Sequence, residues 1–417
     1  MRDITVSVRG IVEFILRSGS IDAGYMSQSR MQDGVKAHQR VQRARRREAA
    51  ASELEYEPEV RLRLGFEHMG LRWSVSGVAD GIVADGDNVT IEEIKSTNRD
   101  LDALTFDESH WHMAQAKCYG HMYTELYGAE AIRIDLTYCA VDDDRSRTFS
   151  QQFTPGELKA FFYDLIERYS RWAELSFNKK EKRDAAVKAA GFPYAAYRKG
   201  QREFAVLAYK AVQNRNKLFI EAPTGTGKTI SALFPAVKAL GEGLADKVFY
   251  LTAKTITRQA AEQAAGMLID GGCSLTYVAM TARDKLCVLP ERICSPMACP
   301  MADGHFDRVN DALWALLERA WRITRNEIDA AAREFNVCPY ELMLDASLFA
   351  DIIICDYNYA FDPTVSLKRF FGDAATETYI FLIDEAHNLV ERARDMFSAT
   401  LSRSGFDMLR GIFRGRG

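Results

Sequence analysis

The stretch APTGTGKT, residues 222–229, follows the apolar run KLFIEA (217–222) and precedes the helix-like ISALFPAVKAL (230–240). Few local patterns leave a chain so little choice. Gly225 and Gly227 let backbone amides curl around phosphate oxygens, and the amino end of the next helix favours an anion. With Thr224 and Thr226 completing the cradle, Lys228 reaches terminal phosphates and Thr229 can ligate magnesium, so the stretch calls for a strand, a turn and a helix in that order. The pattern ordinarily opens on glycine and here opens on Ala222; a plain glycine-rich turn is the alternative reading.

From about Gly191 onward, KVFYLT (247–252), DIIIC (351–355) and YIFLID (379–384) are continuous apolar runs separated by helix-like stretches. Buried parallel strands with helices on their faces have this pattern. The last run ends on Asp384 and Glu385. Alone, such a pair reads as a solvated strand end. Beside a phosphate loop, Asp384 would hold magnesium through water and Glu385 would polarise the attacking water, which makes an ATPase.

Three more stretches carry a resemblance: YRKGQREF (197–204), YLTAKTITRQ (250–259) and CDYNYAFDP (355–363). With the loop and the acidic pair they resemble DEAH-type superfamily 2 helicases, and within these the XPD and DinG family of iron-sulfur helicases. The resemblance implies that Gln201 reads the adenine base with Arg198 beside it, and that 250–259 contacts the nucleic-acid strand.

The chain has eight cysteines. Cys287, Cys294 and Cys299 crowd into KLCVLPERICSPMACP (285–300), and Cys338 follows in NVCPYE. Four soft thiolates suit iron-sulfur or zinc, although the spacing is unlike paired CxxC knuckles. The family resemblance implies a 4Fe-4S cluster on these four, in a subdomain inserted at about 281–345, stiffening a wedge beside the DNA path. Cys118, Cys139, Cys273 and Cys355 sit in helix-like or strand-like runs and read as buried thiols.

Before about residue 180 the pattern differs. Helix-like segments at 11–17 and 31–47 precede strand-like runs at 60–66, 71–83 and 89–94, the last two joined by a turn at 85–87. A helical pattern covers 155–177, and NKKEKRD (178–184) reads as a charged, solvated connection. GVADGIVADGDNVTIEEIKST (77–97) places Asp80 near the end of one strand, with Glu93 and Lys95 on one face of the next. Asp80 and Glu93 can share a hard divalent cation while Lys95 orients a water for attack on a phosphodiester. An acid and a lysine alternating on a half-exposed strand are also commonplace. This half resembles the PD-(D/E)xK nucleases of the RecB type over about residues 5–175. Gly34 and His38 match a GxxxH helix whose histidine joins the metal site, and Gln115 and Tyr119 match a QxxxY helix lying over it. His110 and His112 read as ordinary helix-surface residues, RARRRE (43–48) as a phosphate track or a solvated face, and no base-stacking aromatic ladder is recognisable.

The formal net charge of -4 excludes a global attraction to polyanions, so nucleic-acid contacts must be local. Arg2, Asp3, Arg9 and Glu13 interrupt the N-terminal apolar run, and no stretch reaches the roughly 18 apolar residues of a spanning helix, so no secretory signal or membrane anchor is expected. A reducing cytoplasm is the expected location.

The expectation is therefore an α/β chain: a restriction-endonuclease-like PD-(D/E)xK domain over 1–180, then a RecA-like P-loop parallel-sheet domain over 181–417 with an inserted iron-sulfur subdomain. At about 390–417, LVERARDMFSATLS resembles the start of the family's arch insertion, and a second RecA-like domain is not recognisable. The expected protein is the front part of an ATP-dependent DNA helicase/nuclease of repair or recombination, or a natural truncation of one, its other half supplied by a longer native chain or a separate one; alone it is expected to bind nucleotide with little turnover and no unwinding. It would use ATP, Mg2+ or Mn2+ and a 4Fe-4S cluster, and act on single-stranded or branched DNA, with 5′ to 3′ translocation implied for the full-length form. The alternatives are a metal-dependent single-strand nuclease with a regulatory nucleotide site, and a non-catalytic DNA-binding fragment.

Overall fold

Strand β3 (Leu71–Asp85) is the spine of the first sheet, in a computed structural model that describes residues 2–22, 28–86, 88–98, 100–106, 110–223, 225–253, 255–371, 377–400 and 402–414. The chain divides into two units, one made of 1–177 with the short piece 294–297, the other of 178–293 with 298–417. Thr224 and Asp87 lie outside the described residues.

In the first unit β1 (Arg2–Ser7), α1 (Val8–Ile15), α2 (Gln28–Ala51) and β2 (Glu55–His68) precede β3; β4 (Asn88–Thr97), α3 (His110–Tyr127), β5 (Ala131–Ala140), β6 (Ser146–Phe153) and α4 (Pro155–Ala189), whose residues from 178 belong to the second unit, follow it. Leu71, Trp73 and Val75 alternate inward on β3, the period that specifies a strand with one buried face. One edge of β3 pairs antiparallel with β2, from Glu55↔Ala84 to His68↔Leu71. The hairpin turns at Met69 and Gly70, whose φ values of 51° and 72° suit the twist of such a turn. The other edge is shared: β1 pairs in parallel with Leu71–Ser76, and β4 pairs antiparallel with Gly81–Asp85. Past Gly81, β4 leaves β3 and continues in parallel beside β5, which pairs antiparallel with β6.

Helix α2 is pinned to this sheet by a buried polar cluster. Glu92 Oε1 accepts from Arg45 Nε at 2.7 Å, and Glu92 Oε2 accepts from the Tyr56 hydroxyl at 3.1 Å. Within the basic run 43–48, Arg45 therefore packs inward, while Arg43 and Arg47 line an open cleft.

The second unit contains α5 (Gln201–Gln213), α6 (Lys228–Gly241), β7 (Lys247–Thr252), α7 (Thr255–Asp270), β8 (Tyr277–Ala279), α8 (Arg283–Leu286), α9 (His305–Arg319), β9 (Arg322–Ile323), α10 (Arg325–Phe335) and α11 (Pro339–Leu348). It continues with β10 (Ile352–Asp356), α12 (Asn358–Phe361), α13 (Lys368–Phe371), β11 (Tyr379–Ile383), α14 (Leu389–Met396) and α15 (Arg403–Arg414). Its five-stranded sheet has the order β11-β7-β10-β8-β9, and every pairing is parallel. All of β7 and most of β10 are buried, as continuous apolar runs between helical layers require.

The structure corrects the sequence reading at several places. The run 217–222 joins no strand ladder, and Phe219 is 87% exposed. Apolar composition alone does not supply a ladder partner. Residues 178–184 are not a loose connection but the continuation of α4. They contain no helix breaker, and Arg183 turns inward, its side chain 3% exposed, pairing with Asp184 and with Asp351 at 2.8 Å. Lys238 Nζ then donates to the carbonyls of Val187, Lys188 and Ala190 at the end of α4, where a cation meets the unpaired carbonyls of a helix terminus. The region 281–345 also shares the main sheet, because β9 pairs with β8. No helix among the described residues is long and apolar enough to cross a membrane.

Arg183→Ala would leave Asp351 without its cation beside a buried strand. It should lower the unfolding free energy by about 3 kcal/mol in urea titration; a loss below about 0.5 kcal/mol would show that the pair does not hold α4 in place.

Candidate functional site

The second unit gathers its chemistry where α6 begins and β11 ends. Gly225 and Gly227 have φ of 79° and 78°, which only glycine adopts freely, and Gly227 caps α6. A side chain at Gly227 would collide with the amide of Gln201, which is buried against the loop. Gln201 Oε1 accepts from the Arg198 amide at 2.7 Å, and the Arg198 guanidinium donates to the Gly225 carbonyl at 2.7 Å. The segment 197–204 is thus a brace for the phosphate loop.

Lys228 Nζ lies 3.2 Å from Glu385 Oε1. Asp384 continues β11 by donating its amide to the Leu251 carbonyl at 3.0 Å. Its carboxyl is held above the usual range, first by burial and then by the charge of Glu385, while a hydrogen bond from Tyr250 opposes the rise. Tyr250 also meets the Thr229 side chain, so one phenol bridges both expected magnesium residues. Glu385 has a φ of 52°, and the Tyr357 hydroxyl donates to the carbonyls of Asp384 and Glu385 across that strained turn. Sequence reasoning missed Tyr250 and Tyr357. Both lie in quoted segments, 250–259 and 355–363, but nothing in the pattern shows that they face the acids.

In the first unit, Asp80, Glu93, Lys95, His38, Gln115 and Tyr119 converge where β3 and β4 part. Asp80 Oδ2 accepts from the Ile94 amide at 2.7 Å and lies 3.2 Å from His38 Nε2. The same histidine nitrogen is 3.1 Å from the Ile94 carbonyl. Burial works against a charged His38, but Asp80 holds its pKa above the usual value. Lys95 Nζ donates to Glu93 Oε1 at 2.5 Å and to Gln115 Oε1 at 3.0 Å. Tyr119, one turn beyond Gln115 on α3, packs against Gly77, where an added Cβ would fall 2.5 Å from its ring.

Glu93 is fully enclosed. Burial and the neighbouring Asp80 push its carboxyl up to about 7, and Lys95 only partly opposes them. Its Oε2 is buried without a hydrogen-bond partner. An orphaned carboxylate oxygen beside a second carboxylate suits a hard cation such as Mg2+ or Mn2+.

All eight cysteines are free thiols. Cys118, Cys139, Cys273 and Cys355 are buried; Cys287, Cys294, Cys299 and Cys338 are partly exposed. Cys338 caps α11 in extended backbone, its amide donating to His305 Nδ1 at 3.1 Å, and burial holds its thiol above the usual range. The donor set matches an iron-sulfur cluster in kind. However, among the described residues no three or more His, Cys, Asp or Glu side chains are grouped to hold a metal ion, either at the cysteines or around His38, Asp80 and Glu93.

A phosphate loop facing an acidic strand end on a parallel sheet defines a nucleoside-triphosphate-binding unit. Within that class, the DEAD_2 family model matches residues 252–406. The XPD helicase subunit of transcription and DNA repair factor IIH from Dictyostelium discoideum is 22% identical over 234 residues, covering 48% of this chain and 29% of that protein. The ATP-dependent DNA helicase YoaA of Escherichia coli is 23% identical over 245 residues, 54% of this chain and 38% of its own length. A Fanconi anemia group J protein homolog from Gallus gallus is 28% identical over 92 residues, 22% of this chain and 7% of its own. A solved structure titled "Truncated XPD" aligns at 20% identity with a TM-score of 0.35, over 49% of this chain and 57% of that one. The chain spans well under half the length of these curated relatives. The family match and the named helicases make the second unit similar to helicases of the XPD and YoaA kind over part of their length.

Burial holds the Glu93 carboxyl above its usual range, so a cation bound there would displace a proton. Mn2+ affinity at the first unit should therefore fall as the pH is lowered, and Glu93→Gln should weaken that dependence. Titration calorimetry giving one affinity at about pH 6 and about pH 8 would contradict it.

Proposed function

We propose that the chain is an ATP-dependent DNA helicase component of the XPD/DinG type, acting in DNA repair, with a metal-dependent nuclease in its first unit. The observation that carries the helicase reading is the pairing of Lys228, at the start of α6, with Glu385 just past the end of β11 at 3.2 Å. A triphosphate entering the loop competes with Glu385 for Lys228. Freed from the lysine, the Glu385 carboxylate can orient water, while Arg198 and Gln201 keep the loop in shape from behind. Asp384 and Thr229 are the residues that would hold magnesium, which supplies charge neutralisation on the phosphates when bound.

The nuclease reading rests on the buried cluster at the β3–β4 parting, whose unpaired Glu93 oxygen invites a cation. Asp80 and Glu93 would hold a divalent ion, with His38 adjoining, and the ion would supply Lewis acidity to a phosphodiester. Lys95, steered by Gln115 and Glu93, holds the attacking water in place. Cys287, Cys294, Cys299 and Cys338 are our candidate ligands for a 4Fe-4S cluster; their soft donor set and the family resemblance support this.

Two measurements on the purified chain test these readings. Binding of a fluorescent ATP analogue should be lost in Lys228→Ala with the fold retained; unchanged binding would remove the phosphate loop from the mechanism. Cleavage of end-labelled single-stranded DNA in Mg2+ or Mn2+ should drop at least about 100-fold in Asp80→Ala and in Lys95→Ala. No cutting by the unmodified chain in either metal would falsify the nuclease reading. Anaerobic purification should also yield iron and sulfide in equal amounts, lost in Cys299→Ser; zinc in their place would overturn the cluster.

A further inference from the structure

Five rings of the first unit touch in a chain. Trp111 and His112 have centroids 3.7 Å apart, His112 and Tyr138 5.6 Å, Tyr138 and Phe149 6.1 Å, and Phe149 and Phe106 6.0 Å. A core cluster would be closed over, but here only the middle is covered. Tyr138 is buried, whereas Trp111 and Phe106 at the two ends are 37% and 42% exposed. The Arg147 guanidinium lies 5.0 Å over the Phe149 ring and is held there by the Leu101 and Asp102 carbonyls.

The position of this chain of rings matters more than its size. Tyr138 is the register partner of Lys95, so the two side chains share one face of the sheet. His112 Nδ1 lies 2.6 Å from the Tyr138 hydroxyl, and its helix carries Gln115 one turn later, already bonded to Lys95. Burial and then the Lys95 charge push the His112 pKa down to about 3, so the imidazole stays neutral between Trp111 and Tyr138. On β6, alternation sends Arg147 and Phe149 to this face and Ser146 to the other, where a cleft is lined by Arg40, Arg43, Arg47 and Arg145 with Glu48 and Asp144, Arg40 pairing with Asp144 at 3.0 Å. Among the described residues Arg43 and Arg47 have no carboxylate partner. Two open rings, Trp111 and Phe106, therefore flank a covered ring beside the Lys95 site, while Arg43 and Arg47 lie around the edge of the same sheet.

We propose that Trp111 and Phe106, backed by the covered rings of His112, Tyr138 and Phe149, form a stacking platform for the unpaired bases of single-stranded DNA, with the arginine cleft around the sheet edge receiving its phosphates. Every base offers a π-face, so such a surface binds without reading sequence, and a duplex keeps those faces hidden. The idea rests on the nuclease reading for what the strand approaches, but the binding itself does not require cutting.

The test uses the full chain in EDTA with a thymidine oligonucleotide carrying iododeoxyuridine, which cross-links to aromatic rings on irradiation. Peptide mapping should place cross-links at Trp111 or Phe106. Trp111→Ala should weaken binding by about ten-fold and Trp111→Phe should nearly restore it, since stacking needs a ring rather than an indole. Cross-links lying wholly outside residues 100–150, or equal affinities for Trp111→Ala and the unmodified chain, would overturn the platform even in a chain that cuts DNA. Cross-linking at Trp111 in a chain that never cuts would sink the nuclease reading and leave the platform standing. Tighter binding of an oligouridine than of the oligothymidine would overturn DNA as the ligand.

Discussion

Where β4 turns away from β3, backbone amides lose the partners that a ladder would provide, and a buried amide without a partner costs about 1–3 kcal/mol. Asp80 meets that need by accepting from the Ile94 amide. The geometry of the first unit follows from that hydrogen bond. It fixes a carboxylate at the parting of the strands and sets Glu93 and Lys95 on the face opposite Ile94. It also leaves His38 shared between Asp80 and the Ile94 carbonyl. Removing the carboxylate would take away both a charge and a structural acceptor, so the candidate chemistry and the local fold depend on the same atoms.

The second unit obeys a similar rule. Its parallel strands are buried along their length, and charge becomes affordable only at their ends, where α6 starts and β11 stops. Asp384 and Glu385 lie there because the sheet interior would exclude them. Tyr250 and Tyr357 are the ring-and-hydroxyl pair that lets acids sit at the margin of an apolar sheet, each offering a hydrogen bond from an otherwise buried ring.

Much of this was legible in advance for a physical reason. Runs such as KVFYLT and DIIIC can be only buried strands or buried helices, and their length favours strands. The Asp80, Glu93 and Lys95 spacing was legible because alternation along a strand is strict. Other features depend on tertiary partners that a linear pattern does not name. KLFIEA reads as a strand, yet it finds no ladder. NKKEKRD reads as a solvated connection, yet Arg183 finds Asp351 far along the chain and the helix continues. The ring chain from Trp111 to Phe106 was invisible because its members come from separate elements with no common period.

The ion pair between Lys228 and Glu385 has a further consequence. Both groups are tethered to one fold, so the carboxylate competes for the lysine as an intramolecular ligand at high effective concentration. A lone phosphate ion would have to displace that tethered rival with a single contact. A nucleoside triphosphate brings several phosphates and a base, and displaces it with their sum. Such a tethered pair favours a polyphosphate over a single small anion, because acid and anion compete for one lysine.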